Sequence, residues 1–176
     1  MIFTETKLKG AFIIEIEKLE DERGFFARSW DQKIFDEHGL SSKLVQCSVS
    51  FSKKKGTLRG LHYQIAPYEE TKLIRCTRGK IFEVVIDLRP KSETFRKWIR
   101  FEQSAEDYRM LYVPEGFALG FQTLEDNTEV FYQMSQAYMP EYARGIPWDD
   151  TTLKISWPLR PTMISKKDLS YQPLEK

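Results

Sequence analysis

His62 stands in Gly56-Thr57-Leu58-Arg59-Gly60-Leu61-His62-Tyr63-Gln64 and is one of two histidines in the chain. Imidazole is the one side chain that titrates near neutral pH without perturbation, so its position marks where a proton can be taken or given. His38 needs no such role. It closes Gln32-Lys33-Ile34-Phe35-Asp36-Glu37-His38-Gly39, where Gly39 reads as a helix C-cap and the helix dipole favours a histidine in the last turn. Near His62's chemistry the chain offers Lys72, two tyrosines at a strand end (Tyr132 and Tyr138), and Asp168 in Ile164-Ser165-Lys166-Lys167-Asp168. Each alone has an ordinary reading as a satisfied core histidine, a buried ring with a bonded hydroxyl, or a surface carboxylate. As a set they point to acid–base chemistry.

Other chemistries lack their residues. Val113-Pro114-Glu115-Gly116-Phe117-Ala118-Leu119-Gly120-Phe121 reads as strand, tight corner, strand, as small barrels require. Cupin barrels place a metal-binding histidine three residues after such a Pro-x-Gly and take two more, plus a glutamate, from an earlier strand. Here the corner position is Leu119 and the earlier strand offers His62 alone, so a three-histidine metal site cannot be assembled. No serine elbow is present, neither cysteine sits in an electropositive turn, and no phosphate-binding glycine loop occurs.

The elements that must position these residues are short and numerous. Strand-like runs fall at 11–16, 43–49, 73–77, 80–88, 97–101, 109–113, 116–122 and 129–135, separated by glycine, proline or charged turns. That spacing argues for a sandwich or barrel. One clear helix is expected over 31–38, and a second short one after Met163, opened by Ser165. The run Ile81-Phe82-Glu83-Val84-Val85-Ile86-Asp87-Leu88 is nearly continuous and apolar, as in a strand covered on both faces. Glu83 and Asp87 share a face with Ile81 and Val85, and two carboxylates there are costly unless paired. Lys72 and Arg75 are the candidate partners, in an ion pair bracing a barrel wall. Residues 1–176 are expected to form one all-β domain, with the proline- and lysine-containing segment from Pro158 lying over its surface.

Composition narrows the partners. Lys and Arg number 27 against 26 Asp and Glu, interleaved along the chain, so nucleic acid is not an expected partner. The one dense basic run, Lys53-Lys54-Lys55, reads as a solvated turn or a steering patch for an anionic ligand. Cys47 and Cys76 lie in apolar runs without metal-ligand spacing and read as small buried hydrophobes in a reducing compartment. No signal pattern opens the chain and no apolar run reaches the ~20 residues of a membrane helix, so a cytoplasmic protein without membrane contact is the expectation. Aromatics are 14% of the chain, which suits a β-rich core and a site that grips flat rings.

Taken in order, these segments closely resemble one family, the dTDP-4-dehydrorhamnose 3,5-epimerases. The matching stretches are Asp21-Glu22-Arg23-Gly24-Phe25-Phe26, the Leu58 to Gln64 segment, Lys72-Leu73-Ile74-Arg75-Cys76, Val113 to Phe121, and Phe131-Tyr132 through Tyr138-Met139-Pro140. Gly145-Ile146-Pro147-Trp148-Asp149-Asp150, Ile155-Ser156-Trp157-Pro158 and Ser165-Lys166-Lys167-Asp168 complete them. The resemblance implies an all-β, cupin-like jelly-roll barrel with one or two short helices, working as a homodimer without metal or other cofactor. Its substrate would be a nucleoside-diphosphate 4-keto-6-deoxyhexose on the way to a surface polysaccharide or glycosylated product.

The resemblance also implies roles. The 4-ketone acidifies the hydrogens on C3 and C5; His62 matches the base, Asp168 the carboxylate that orients it, Lys72 the cation that stabilises the enolate oxygen, and Tyr132 the proton donor on the opposite face. Arg23 and Arg59 match residues that hold the diphosphate, and Gln46, Ser48, Arg28, Tyr138 and Lys167 fall in substrate-binding stretches. Three positions depart from the family. Leu119 replaces a histidine near the substrate's polar groups, Ser48 replaces an asparagine, and Arg28 replaces a glutamate after the double phenylalanine. A guanidinium has only donors, which suits cytosine's acceptors better than thymine N3–H, so a CDP-linked substrate stands beside a dTDP-linked one. A 3,4-ketoisomerase and a non-catalytic sugar-nucleotide-binding cupin are the competing readings of the same scaffold.

Overall fold

The computed structural model of the chain describes residues 1–174; Glu175 and Lys176 lie outside them. In chain order the strands are β1 (Ile2–Glu5), β2 (Phe12–Glu15), β3 (Leu19–Asp21), β4 (Gly24–Phe26), β5 (Gln46–Ser52), β6 (Leu58–Gln64) and β7 (Lys72–Arg78). There follow β8 (Lys80–Asp87), β9 (Trp98–Ser104), β10 (Met110–Val113), β11 (Phe117–Thr123), β12 (Thr128–Met134) and β13 (Ala143–Gly145). Helix α1 (Gln32–Glu37) precedes β5, and a 3₁₀ turn (Asp168–Ser170) lies near the C-terminus. One antiparallel sheet has the order β1-β2-β10-β7-β12-β5 and the other β13-β6-β11-β8-β9, while β3 and β4 form a separate hairpin. Facing each other, the two sheets make the expected cupin-like jelly roll.

Period-two alternation explains the layers. On β8, Ile81 and Val85 join Ile74, Cys76, Phe101, Leu119, Phe121 and Val130 in the core between the sheets. Phe82, Val84 and Ile86 point the other way, packing with Leu61, Ile146 and Leu153 outside the five-stranded sheet. β8 is therefore covered on both faces, as its apolar run requires. A third cluster, around Ile14, Phe35 and Met110, lies under α1 on the outside of the six-stranded sheet. The helix starts where Asp31 Oδ1 accepts the Ile34 N–H at 3.2 Å, and it ends before Gly39, whose φ of +67° favours glycine. His38 stacks on Phe3, with ring centroids 4.0 Å apart, and its Nδ1 lies 2.8 Å from Ile34 O. It is a structural residue.

Several expectations are corrected. Cys76 is buried, but Cys47 is exposed. The edge strand β5 turns Ser48 and Ser50 toward the barrel and Cys47, Val49 and Phe51 outward, so the apolar alternate residues are the ones left uncovered. The pairing of Glu83 and Asp87 with Lys72 and Arg75 does not form. Asp87 is bound by Arg89, with Nε to Oδ1 at 2.9 Å, and by the hydroxyls of Ser92 and Thr94, each at 2.6 Å. Lys72 bonds Glu70 instead, and Arg75 stacks over Tyr108 at 5.0 Å. Lys72 and Arg75 are three residues apart on β7 and face opposite sides of a sheet that β8 does not belong to.

The segment from Pro158 does cover the barrel as far as it is described. Leu159 exchanges two hydrogen bonds with the Gln122 side chain, at 3.0 and 3.1 Å, and Met163 O accepts the Leu58 N–H at 2.9 Å. Where a second helix was expected there is one 3₁₀ turn, opened by Ser165, whose Oγ accepts the Asp168 N–H at 3.0 Å. No helix among the described residues is long and apolar enough to cross a membrane.

Candidate active site

The barrel holds a cavity of about 620 Å³, lined by strands of both sheets and by the C-terminal segment. That size suits a small organic ligand. Four cationic side chains line it, Arg59, Lys72, Arg144 and Lys167, against two carboxylates, Glu70 and Asp168. Its field therefore favours an anion.

His62 reaches the cavity from β6, which pairs with β11 through an irregular register between Leu119 opposite His62 and Phe121 opposite Arg59. In a regular strand residues three apart face opposite sides; the irregularity lets both Arg59 and His62 line the cavity. Gly60 permits it, because at φ +116° a Cβ there would lie 2.5 Å from Gly120 Cα. His62 Nε2 is 2.7 Å from Asp168 Oδ1, across 106 residues of sequence, and the Gly60 N–H donates to Asp168 Oδ2 at 3.4 Å. Burial alone would raise the Asp168 carboxyl; its contacts with His62, the Gly60 N–H and Ser165 outweigh that and hold it below its ordinary range. An ionised carboxylate only accepts, so in the neutral ring Nε2 is the nitrogen that carries the proton, and the lone pair lies on Nδ1, which has no partner among the described residues.

Lys72 enters from β7, with Nζ 2.7 Å from Glu70 Oε1 in a largely buried pair. Tyr132 enters from β12, directly across from Ser48 on β5. Burial, opposed by Arg59, pushes the Tyr132 phenol far above its ordinary range, so it stays protonated and is a donor. Arg59 is pinned by Nε to Ser52 Oγ at 3.2 Å and Nη2 to Phe51 O at 3.0 Å. At the rim, Lys167 Nζ donates to Tyr138 Oη at 3.0 Å, the main reason its own pKa is raised. Gln46 does not line the cavity. Its Oε1 accepts the Tyr138 N–H at 2.6 Å, and Gln64 Oε1 does the same for Met139, so the two amides fix the loop that carries Tyr138.

Eight of the residues singled out in the sequence thus meet on one cavity, namely His62, Asp168, Lys72, Tyr132, Arg59, Ser48, Tyr138 and Lys167. Arg23 and Arg28 do not. Arg23 projects from the β3–β4 hairpin with its side chain 89% exposed and forks onto Asp21. Arg28 is 58% exposed and turns its Nη1 to Asp31 Oδ2, 3.3 Å away. Residues that the sequence reading passed over also line the cavity, above all Tyr171 and Glu70. Tyr171 lies edge-on to His62, with centroids 5.9 Å apart, in space that a Cβ at Gly145 would invade to 2.1 Å. Its signal was the three-residue spacing from Asp168, which a 3₁₀ turn places on one side. Leu119, where the family pattern has a histidine, is buried opposite His62 and presents an apolar wall.

A family model for dTDP-4-dehydrorhamnose 3,5-epimerase matches residues 5–176. A dTDP-4-dehydrorhamnose 3,5-epimerase of Methanothermobacter thermautotrophicus is 45% identical, with 98% of this chain and 94% of that one covered. Among solved structures, the Bacillus anthracis dTDP-4-dehydrorhamnose 3,5-epimerase with TDP and pyrophosphate bound superposes with a TM-score of 0.94 at 39% identity, covering 98% of this chain and 99% of that one. The Legionella pneumophila dTDP-6-deoxy-D-glucose-3,5-epimerase, in complex with dTDP-4-keto-L-rhamnose, gives 0.91 at 36% identity, covering 98% and 92%. Agreement that runs through sequence and fold alike over nearly the whole chain leaves one assignment: it is an epimerase belonging to the dTDP-4-dehydrorhamnose 3,5-epimerase family.

Proposed function

We propose that this chain inverts C3 and C5 of a dTDP-linked 4-keto-6-deoxyhexose in deoxysugar synthesis. The observation that carries the reading is the His62–Asp168 pair, which leaves His62 Nδ1 unpartnered on a cationic cavity shared with Lys72 and the protonated Tyr132. His62 takes the proton from carbon, and the electron pair moves onto the C4 oxygen as an enolate. The Lys72 ammonium, oriented by Glu70, stabilises that oxygen. Tyr132 returns a proton to the carbon from the other face, and the centre is inverted.

Arg59, with Arg144 and Lys167 on the same cavity, suits the diphosphate. Arg23 serves the same group only in the cavity of a second copy. The reading is therefore a homodimer, in which the exposed Leu19, Phe25 and Phe26 of the hairpin and Val49 and Phe51 of β5 become covered. Sedimentation equilibrium is expected to give the dimer mass.

Tyr132→Phe separates the two half-reactions. The variant is expected to wash solvent deuterium into the sugar through His62 while inverted product falls roughly 10²-fold or more, the ordinary loss for a missing general acid. NMR of the sugar reads both. Normal inversion would give the acid role to another group, Tyr138 first.

Thymine is the expected base, because the related epimerase structures hold TDP and dTDP-4-keto-L-rhamnose and Arg28 is engaged by Asp31. Calorimetric titration should find dTDP bound more tightly than CDP by roughly 5- to 150-fold, the worth of one well-placed hydrogen bond in a desolvated pocket. The reverse order would mean that Arg28 leaves Asp31 and reads cytosine.

A further inference from the structure

Glu83 sits in the middle of β8, is 0% exposed, and has no hydrogen-bond partner for either carboxyl oxygen. Its same-face neighbours are Ile81 and Val85; across the sheet it meets Phe121 on β11 and Phe101 on β9. All four belong to the core between the sheets, against which Tyr132 packs. The cations nearby in the fold are committed elsewhere: Lys72 to Glu70, Arg89 to Asp87, Arg59 to Ser52 and Phe51, and Arg75 to the ring of Tyr108. The titratable groups that share this core are Cys76 on β7 and, packed against it, Tyr132 on β12. The Cys76 thiol is turned to the carbonyls of Arg78 and Gly79, at 3.4 and 3.3 Å, and that leaves the phenol.

An unpaired carboxylate in such surroundings is not sustained; the group takes a proton instead. An apolar side chain would serve the packing better, so the carboxyl asks for a reason beyond the fold. Tyr132 supplies one. When the phenol gives its proton to carbon it becomes an anion in a dry core, and an ionised neighbour would oppose that step where a neutral acid would assist it.

We propose that Glu83 is held as a neutral carboxylic acid and acts as a positioning residue for Tyr132, its O–H donating a hydrogen bond to the phenolic oxygen as that oxygen becomes negative. No covalent bond changes at Glu83. The kinetic part of this inference rests on Tyr132 being the acid of the proposed reaction; the spectroscopic part does not.

Infrared spectra of the wild type at neutral pH are expected to contain the C=O stretch of a protonated carboxyl that disappears in Glu83→Gln and shifts in frequency in Tyr132→Phe. No band lost in Glu83→Gln would mean an ionised Glu83, and a band unmoved in Tyr132→Phe would mean that the two groups do not touch; either overturns the proposal.

The kinetic arm uses Glu83→Leu, which removes a buried polar group and should raise the melting temperature, so loss of the fold does not confound it. Its kcat for inversion is expected to fall roughly 10- to 150-fold, the worth of one hydrogen bond to a charged group in a dry site, with KM little changed. Glu83→Gln, which keeps a neutral donor, restores most of that kcat. Wild-type kcat in Glu83→Leu would reduce Glu83 to a tolerated core carboxyl. Should the wild type itself fail to act on the dTDP-linked sugar, the proposed function falls while the infrared spectra still decide the state of Glu83.

Discussion

Replacing His62 by alanine is expected to abolish solvent exchange at both C3 and C5, with rates falling roughly 10²- to 10⁴-fold as for a lost general base. No second imidazole can substitute, because His38, the other histidine, is stacked on Phe3 at the C-terminal end of the helix, outside the cavity lining. The His62 side chain is 43% exposed and sits in the cavity wall, so His62→Ala should leave the melting temperature and the affinity for dTDP close to wild type. Proton NMR in D₂O reads the exchange and calorimetry the binding. Exchange at near wild-type rate in the variant would take the base role away from His62.

Asp168→Asn should be almost as damaging, for a reason that lies in hydrogen-bond polarity. Asp168 accepts from two groups at once, His62 Nε2 at 2.7 Å and the Gly60 N–H at 3.4 Å. An amide has one oxygen, so its N–H₂ must face one of them. Facing Nε2, it forces the imidazole proton onto Nδ1 and removes the lone pair the reaction needs; facing Gly60, it sets donor against donor. In either arrangement the imidazolium formed in the reaction loses its counter-charge. A fall in kcat of roughly 10²- to 10⁴-fold, with dTDP binding unchanged, is expected.

The pH dependence has a definite sign. The folded Asp168 pKa lies below its ordinary value, so the pair's stabilisation is complete above the unfolded carboxylate range and is lost as pH falls through the lower, folded value. The wild type keeps the pair at neutral pH. Turnover unchanged in Asp168→Asn would show that His62 works without its carboxylate.

β12 was legible because a period of two with apolar inward positions admits one face assignment, and β8 because a near-continuous apolar run bounded by turns reads as a strand covered on both faces. β6 was harder to see. Residues 58–64 are missing from the strand-like runs; Gly60 interrupts them, and it is there because the neighbouring strand's Gly120 approaches too closely for a side chain. Polar lining misleads in the same way. Ser48 and Ser50 face the cavity, so the pattern of β5 appears inverted and Cys47 seemed buried when it is exposed.

The His62–Asp168 contact spans 106 residues, and nothing local to either residue announces it; resemblance to a family named Asp168, and the C-terminal segment's bonds to Gln122 and Leu58 explain how it arrives. Arg23 and Arg28 show the limit of that resemblance within one chain. A motif carries a residue's identity, but whether the residue meets the cavity depends on how the hairpin is set.

The central claim is that carbon is deprotonated next to the C4 ketone, and solvent isotope tests it most directly. Wild-type protein is incubated in D₂O with dTDP-4-keto-6-deoxyglucose, and the sugar is followed by NMR until the reaction stops. Deuterium at both C3 and C5, together with inverted configuration at each, is the expected result. Inversion or carbonyl movement without deuterium at C3 and C5, or no change in the sugar at all, would contradict it.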